Sequence, residues 1–123
     1  GFVQKIGLFL RQVLNGPSHD VGFLPLRNLV ARARRVVGKI QIIRVHFDHV
    51  DETLLMQAMQ AFYYIRSIDS VEKKPSTSEL VDWIRALELT GVDTSRITKE
   101  IPFIGVLLKK DKDISTVQRR LRR

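Results

Sequence analysis

The chain of 123 residues contains no cysteine. It therefore has no disulfide framework, no thiolate nucleophile and no cysteine-ligated metal. A chain without cysteine is compatible with a reducing compartment, and we expect a cytoplasmic location.

Long hydrophobic runs are also lacking, because no apolar stretch approaches the roughly 20 residues that a membrane-spanning helix needs. The opening residues, GFVQKIGLFLRQVL, include a lysine and an arginine and do not read as a signal peptide. We expect no membrane partner. Glycine and proline are few, and 44% of residues are hydrophobic, which predicts a folded chain of one-domain size.

Acidic residues are scarce in the first part of the chain. Residues 1–45 hold eight basic side chains and only Asp20, whereas residues 46–123 hold thirteen basic and twelve acidic side chains. Most of the net charge of +8 therefore lies in the first part. This asymmetry favours either a basic binding surface or a fragment separated from acidic neighbours.

Hydrophobic periodicity predicts an all-α fold, a small helical bundle with an N-terminal basic helical extension. Residues 36–47 are ambiguous, since Val36, Ile40, Ile43 and Phe47 fit a helix while Ile43, Val45 and Phe47 alternate as in a strand. A final helix is expected to be capped by Asp113. The other helices are predicted at 2–14, 24–35, 51–66 and 76–91, and residues 98–110 are predicted to carry a short apolar helix with Pro102 near its beginning.

The best-specified helix opens at Ser76. Ser76 and Glu79 have the spacing of a capping box, and Pro75 stops any earlier helix from continuing. Gly91 is the expected stop signal. Of the aromatic residues, Trp83 and Phe62 are predicted core residues, while one of the adjacent Tyr63 and Tyr64 is expected at a surface.

Three sequence blocks carry a family resemblance over about residues 42–113. KKPSTSELVDWIRAL, preceded by VDETLL and AFYYIRS and followed by IPFIGVLLKKDKD, resembles the C-terminal lid domain of a MoxR-type AAA+ ATPase. The resemblance implies that residues 42–123 form a lid-like helical domain, with residues 1–41 as an unassigned basic segment. The chain is then either a fragment or a lid whose ATPase core is replaced by another segment.

The resemblance implies a parent protein that binds ATP and Mg²⁺ and works as a hexameric ring. It implies chaperone-like remodelling or cofactor insertion, with the AAA+ core, neighbouring ring subunits and a von Willebrand A-domain protein as partners. No GxxxxGK[ST] motif occurs in the chain, so no cofactor and no ATP hydrolysis are expected of the chain alone. No catalytic residue is predicted, and whether the chain is an enzyme stays open.

AAA+ lids commonly present a sensor-2 arginine to the nucleotide, and Ser78 stands where the resemblance would place it. Lys73, Lys74 and Arg85 are therefore the candidates for binding the cofactor. His46, Asp48, His49 and Asp51 form a short cluster that could suggest a metal, but the spacing lacks the i, i+4 pair of a zincin. No metal site is predicted.

Two functions of other classes stay open. The clusters at residues 32–35 and 119–123 are rich in arginine, and a stand-alone basic helical module that binds nucleic acid is the alternative function. The predicted first helix, with Phe2, Ile6 and Phe9 on one face, could instead dock a protein partner.

Overall fold

The computed structural model describes the backbone of residues 26–122, and their side chains from residue 33 onward. The predicted helix at 2–14 and its proposed docking face lie outside the described residues. Within residues 26–122 the fold is all-helical, with no strand, which confirms the predicted class. Its helices are α1 (Leu26–His46), α2 (Glu52–Arg66), α3 (Thr77–Thr90), a 3₁₀ turn (Thr94–Arg96), α4 (Ile97–Glu100), α5 (Ile104–Leu107) and α6 (Asp111–Leu121).

Helix α1 runs without a break through the segment that was ambiguous in sequence. Val36, Ile40 and Ile43 are buried on one face of it, as helical periodicity requires, and Phe47 is buried just after its end. The strand alternative is wrong, since Val45 is 83% exposed. The prediction of a separate helix ending at 35 is also wrong: the apolar stripe continues through Gly38, so packing outweighs that residue's low helix propensity.

The helices predicted at 51–66 and 76–91 are confirmed, and so is the capping box of the second. The carboxylate of Asp51 accepts from the backbone N–H of Leu54 at 2.9 Å, a cap that was not predicted, and α2 buries Leu55 and Phe62. At α3 the hydroxyl of Ser76 accepts from the N–H of Glu79, whose carboxylate accepts from the N–H of Ser76. Gly91 ends α3 with a left-handed φ of 64°.

The short apolar helix predicted within residues 98–110 is confirmed as α5, and Pro102 lies just before it. Pro102 disfavours helical backbone at the residue before it, and both Ile101 (φ 45°) and Phe103 (φ 57°) adopt left-handed conformations. The chain therefore forms two one-turn helices, α4 and α5, separated by a tight turn. The indole Nε1 of Trp83 donates to the carbonyl of Pro102 at 2.6 Å and ties that turn to α3.

Asp113 does not cap its own helix, contrary to the prediction. Helix α6 begins at Asp111, and the buried Asp113 side chain accepts from the backbone N–H groups of Glu72 (2.9 Å) and Lys73 (3.1 Å). The spacing suited a cap, but the nearest unpaired backbone donors come from a loop about 40 residues away. Asp113 therefore fastens the loop between α2 and α3 to α6.

A single cluster of buried apolar side chains joins these helices. Trp83 and Phe62 are the largest fully buried residues, as predicted. Tyr63 and Tyr64 are both partly buried against the cluster, so neither is a fully exposed surface residue. No helix among the described residues is both long and apolar enough to cross a membrane.

Candidate functional site

A groove of about 290 Å³ lies between the end of α1 and the first half of α3. Its α3 side carries Ser78 and Arg85, whose guanidinium carbon lies 5.5 Å from the centroid of the Phe47 ring. This distance is within the range of a cation–π contact. The complete lining is Ile42, His46, Thr77, Ser78, Val81, Asp82 and Arg85.

The three predicted cofactor-binding residues are not brought together. Arg85 lines the groove, but Lys73 and Lys74 do not. The ammonium group of Lys74 donates to the carbonyls of Ile68 and Val71, both at 2.8 Å, so it closes the loop that follows α2. Lys73 is exposed and its backbone N–H is held by Asp113. Of the three, Arg85 alone fits a ligand-facing role.

The groove is smaller than most sites that enclose a whole small molecule. Ligand sites that enclose a small molecule usually measure roughly 300–1,000 Å³, and the 290 Å³ of this groove lies just below that range. Arg85 and the hydroxyls of Thr77 and Ser78 could contact phosphate or ribose oxygens, while Asp82 is the single carboxylate of the lining. One carboxylate is too few to hold Mg²⁺ without further ligands from elsewhere.

A second cationic feature lies at the junction of α1, α2 and α3. Lys39 Nζ is 5.9 Å and the Arg66 guanidinium carbon is 5.6 Å from the centroid of the buried Phe62 ring. Burial, followed by the charges of Arg66 and Arg35, lowers the pKa of Lys39. We call Arg35, Lys39 and Arg66 the cation cluster. Sequence reasoning missed it, and only the i, i+4 spacing of Arg35 and Lys39 could have indicated part of it.

Tyr63 adjoins the cation cluster. Its hydroxyl is buried and has no hydrogen-bond partner among the described residues. Burial raises the pKa of Tyr63 to about 12, although Arg66 and Arg35 act in the opposite direction. Because burial outweighs the two cations, the hydroxyl of Tyr63 ionises only at strongly alkaline pH. Under ordinary conditions it is a neutral hydrogen-bond donor and acceptor.

The histidine and aspartate cluster does not converge. Within residues 26–122 no group of three or more histidine or carboxylate side chains is arranged to hold a metal ion. His46 lines the groove, His49 is exposed, and Asp51 caps α2. These residues therefore end one helix and begin the next.

The arginine-rich clusters are surface features where the structure describes them. Arg34 and Arg35 are exposed on α1, and Arg119, Arg120 and Arg122 are exposed at the end of α6. The side chains of Arg32 and Arg123 lie outside the described residues. No protein-family model, curated protein or solved structure matches this chain.

Proposed function

We propose that this helical bundle is the lid of a MoxR-type AAA+ ATPase, which covers one edge of a nucleotide held by an ATPase core. The observation that carries the proposal is that the three sequence blocks of the resemblance belong to one core. Trp83 of the second block donates to Pro102 of the third, and α2 of the first block packs on α3 and α4. A domain built from all three blocks is what a lid requires.

Within this proposal the groove faces the nucleotide. Ser78 and Arg85 are seven residues apart, about two turns of α3, so they lie on the same side of the helix and share the groove. Arg85 supplies the positive charge that the missing sensor-2 arginine would otherwise bring to a phosphate. Lys73 and Lys74 are left out, because Lys74 is engaged by backbone carbonyls and Lys73 lies outside the groove.

The test is to fuse the complete chain to a MoxR-type ATPase core that lacks its own lid and to measure ATP hydrolysis. The fusion is expected to hydrolyse ATP faster than the core alone, while the isolated chain, with no Walker motif, is expected to be inactive. A fusion no more active than the core would overturn the proposal.

Within the active fusion, Arg85→Gln is expected to raise the KM for ATP by roughly tenfold, the usual loss for one charge-assisted hydrogen bond to phosphate. Arg120→Gln is the matched control, because it removes an exposed arginine that does not line the groove. An equal effect of both substitutions would show that Arg85 acts only through net charge.

A further inference from the structure

Two members of the cation cluster, Lys39 and Arg66, lie beside the same aromatic ring, that of Phe62. Arg35 and Lys39 are one turn apart on α1, and Arg66 is the last residue of α2. Lys39 and Arg66 both lie within 6 Å of the centroid of the Phe62 ring, which is fully buried. Because the faces of an aromatic ring attract cations, Phe62 holds both charges beside it, and Arg66 is exposed to solvent.

One hydrogen bond each holds the side chains of Lys39 and Arg66 in place. Lys39 Nζ donates to Thr77 Oγ1 at 3.1 Å, and Arg66 Nη1 donates to the carbonyl of Pro75 at 2.6 Å. Each bond uses one donor, whereas an ammonium has three and a guanidinium has five. The Thr77 oxygen accepts from Lys39, so its own hydrogen is available for donation. The cluster is thus a fixed set of donors with several directions unused.

No negatively charged side chain among the described residues is paired with these cations, Arg35, Lys39 and Arg66. Burial, and after it the charges of Arg66 and Arg35, lower the pKa of Lys39. Like charges at this spacing repel one another unless an anion is bound between them. Exposed Arg35 and Arg66 leave the cluster accessible from solvent.

We propose that Arg35, Lys39, Arg66 and the Thr77 hydroxyl form a binding site for a phosphate group. Guanidinium groups bind phosphate oxygens in pairs, an ammonium contributes a compact charge, and a hydroxyl donates to a third oxygen. The site shares Thr77 with the groove that Arg85 lines, but its three cations do not line that groove, and the proposal does not depend on the lid function. The phosphate belongs either to a free ion such as pyrophosphate or to the backbone of a nucleic acid, since both present the same oxygens.

Isothermal titration calorimetry on the complete chain tests the site with three probes: inorganic phosphate, pyrophosphate and a short single-stranded oligodeoxynucleotide. At least one probe is expected to bind, and Arg35→Gln and Arg66→Gln are each expected to weaken that binding by roughly tenfold. Binding of the inorganic ions identifies a free phosphate as the ligand. Binding of the oligonucleotide alone identifies a phosphodiester.

The matched control is Arg34→Gln, which removes an equally exposed arginine from the neighbouring position of α1. It is expected to change the affinity less than twofold. Equal weakening by Arg34→Gln and Arg35→Gln would overturn the site in favour of general charge attraction. Absence of binding by all three probes would overturn it as well.

The phosphate site can also be tested on the wild-type chain, without any substitution. NMR titration of the Lys39 side chain gives its pKa with and without the probe that binds. A bound phosphate is expected to raise the pKa of Lys39, because an anion now offsets the charges of Arg66 and Arg35 that lower it. A Lys39 pKa that does not move at saturation would contradict the proposal.

Discussion

Single side chains in this fold do work that their positions in the sequence do not reveal. Asp113 was expected to cap its own helix, but it accepts from two backbone N–H groups of a distant loop. Lys74 was a candidate ligand for phosphate, but it donates to two carbonyls of its own loop. In both cases the side chain forms hydrogen bonds with backbone groups that would otherwise lack a partner in the folded chain, because buried backbone groups must be paired.

Because of Asp113, the free energy of unfolding depends on pH in the acid range. The two backbone N–H groups that donate to it lower its pKa below the usual value near 3.9. A carboxyl whose pKa is lower in the folded state stabilises that state above its unfolded pKa. This contribution is lost as the pH falls through the folded pKa. We expect the urea midpoint of the protein to fall steadily below about pH 4.

Asp113→Asn is expected to lower the melting temperature at pH 7 by at least about 5 °C and to flatten this acid dependence. The amide offers one acceptor where two donors must be paired. Glu72→Gln is the control. Lys112 and Lys110 lower the pKa of Glu72 to about 2, but these groups are exposed, so the ion pairs contribute little. Equal melting temperatures for Asp113→Asn and wild type would contradict the role of Asp113.

Tyr63 carries a buried hydroxyl without a partner among the described residues. Tyr63→Phe is expected to leave the free energy of unfolding unchanged or to raise it by up to about 1 kcal/mol, because it removes an unsatisfied polar atom. Urea denaturation measures the change, with Tyr64→Phe as the control. A clear loss of stability in Tyr63→Phe alone would mean that the hydroxyl has a partner.

At the scale of elements, the ends of α3 were predictable because the signals are local. Ser76→Ala is expected to lower the free energy of unfolding by about 1 kcal/mol, the usual cost of losing an N-cap. Ser78→Ala, two residues later, is the control, because Ser78 has no capping role and is exposed. If urea denaturation gave the same cost for both serines, the cap would not be what stabilises α3.

In helix α1, by contrast, one substitution is expected to stabilise the fold. A Cβ placed on Gly38 meets nothing within 4 Å, and the residue lies inside a continuous helix. Gly38→Ala is therefore expected to raise the free energy of unfolding by roughly 0.5–1 kcal/mol, mainly by restricting the unfolded chain. Chemical denaturation checks the sign. A loss of stability would mean that α1 is bent or closely packed at this residue.

At the scale of the whole molecule, Trp83 joins α3 to the turn between α4 and α5. Trp83→Phe removes the bond to the carbonyl of Pro102 and leaves a void, and it is expected to lower the free energy of unfolding by roughly 2–4 kcal/mol. Leu89→Ala is expected to cost almost nothing, because Leu89 is 82% exposed. Hydrogen exchange should show faster opening of residues 101–103 in Trp83→Phe, and unchanged exchange there would exclude the link.

Local chemistry in the sequence determined the all-helical class, the capped start of α3 and its end at Gly91. Each of these depends on residues within one or two turns, so a linear pattern contains the whole cause. The buried positions of Trp83 and Phe62 followed from the same periodicity, because a helix has only one face to bury.

Only the tertiary structure decided which charged groups meet. Lys39 of α1 and Arg66 of α2 both lie beside the Phe62 ring, and Arg85 lines a groove because α1 ends beside α3. The break at Pro102 needed the same context, since the left-handed residues on either side of it are held by the core and by Trp83. Contacts between residues that lie tens of positions apart depend on how helices pack, and no local pattern carries that information.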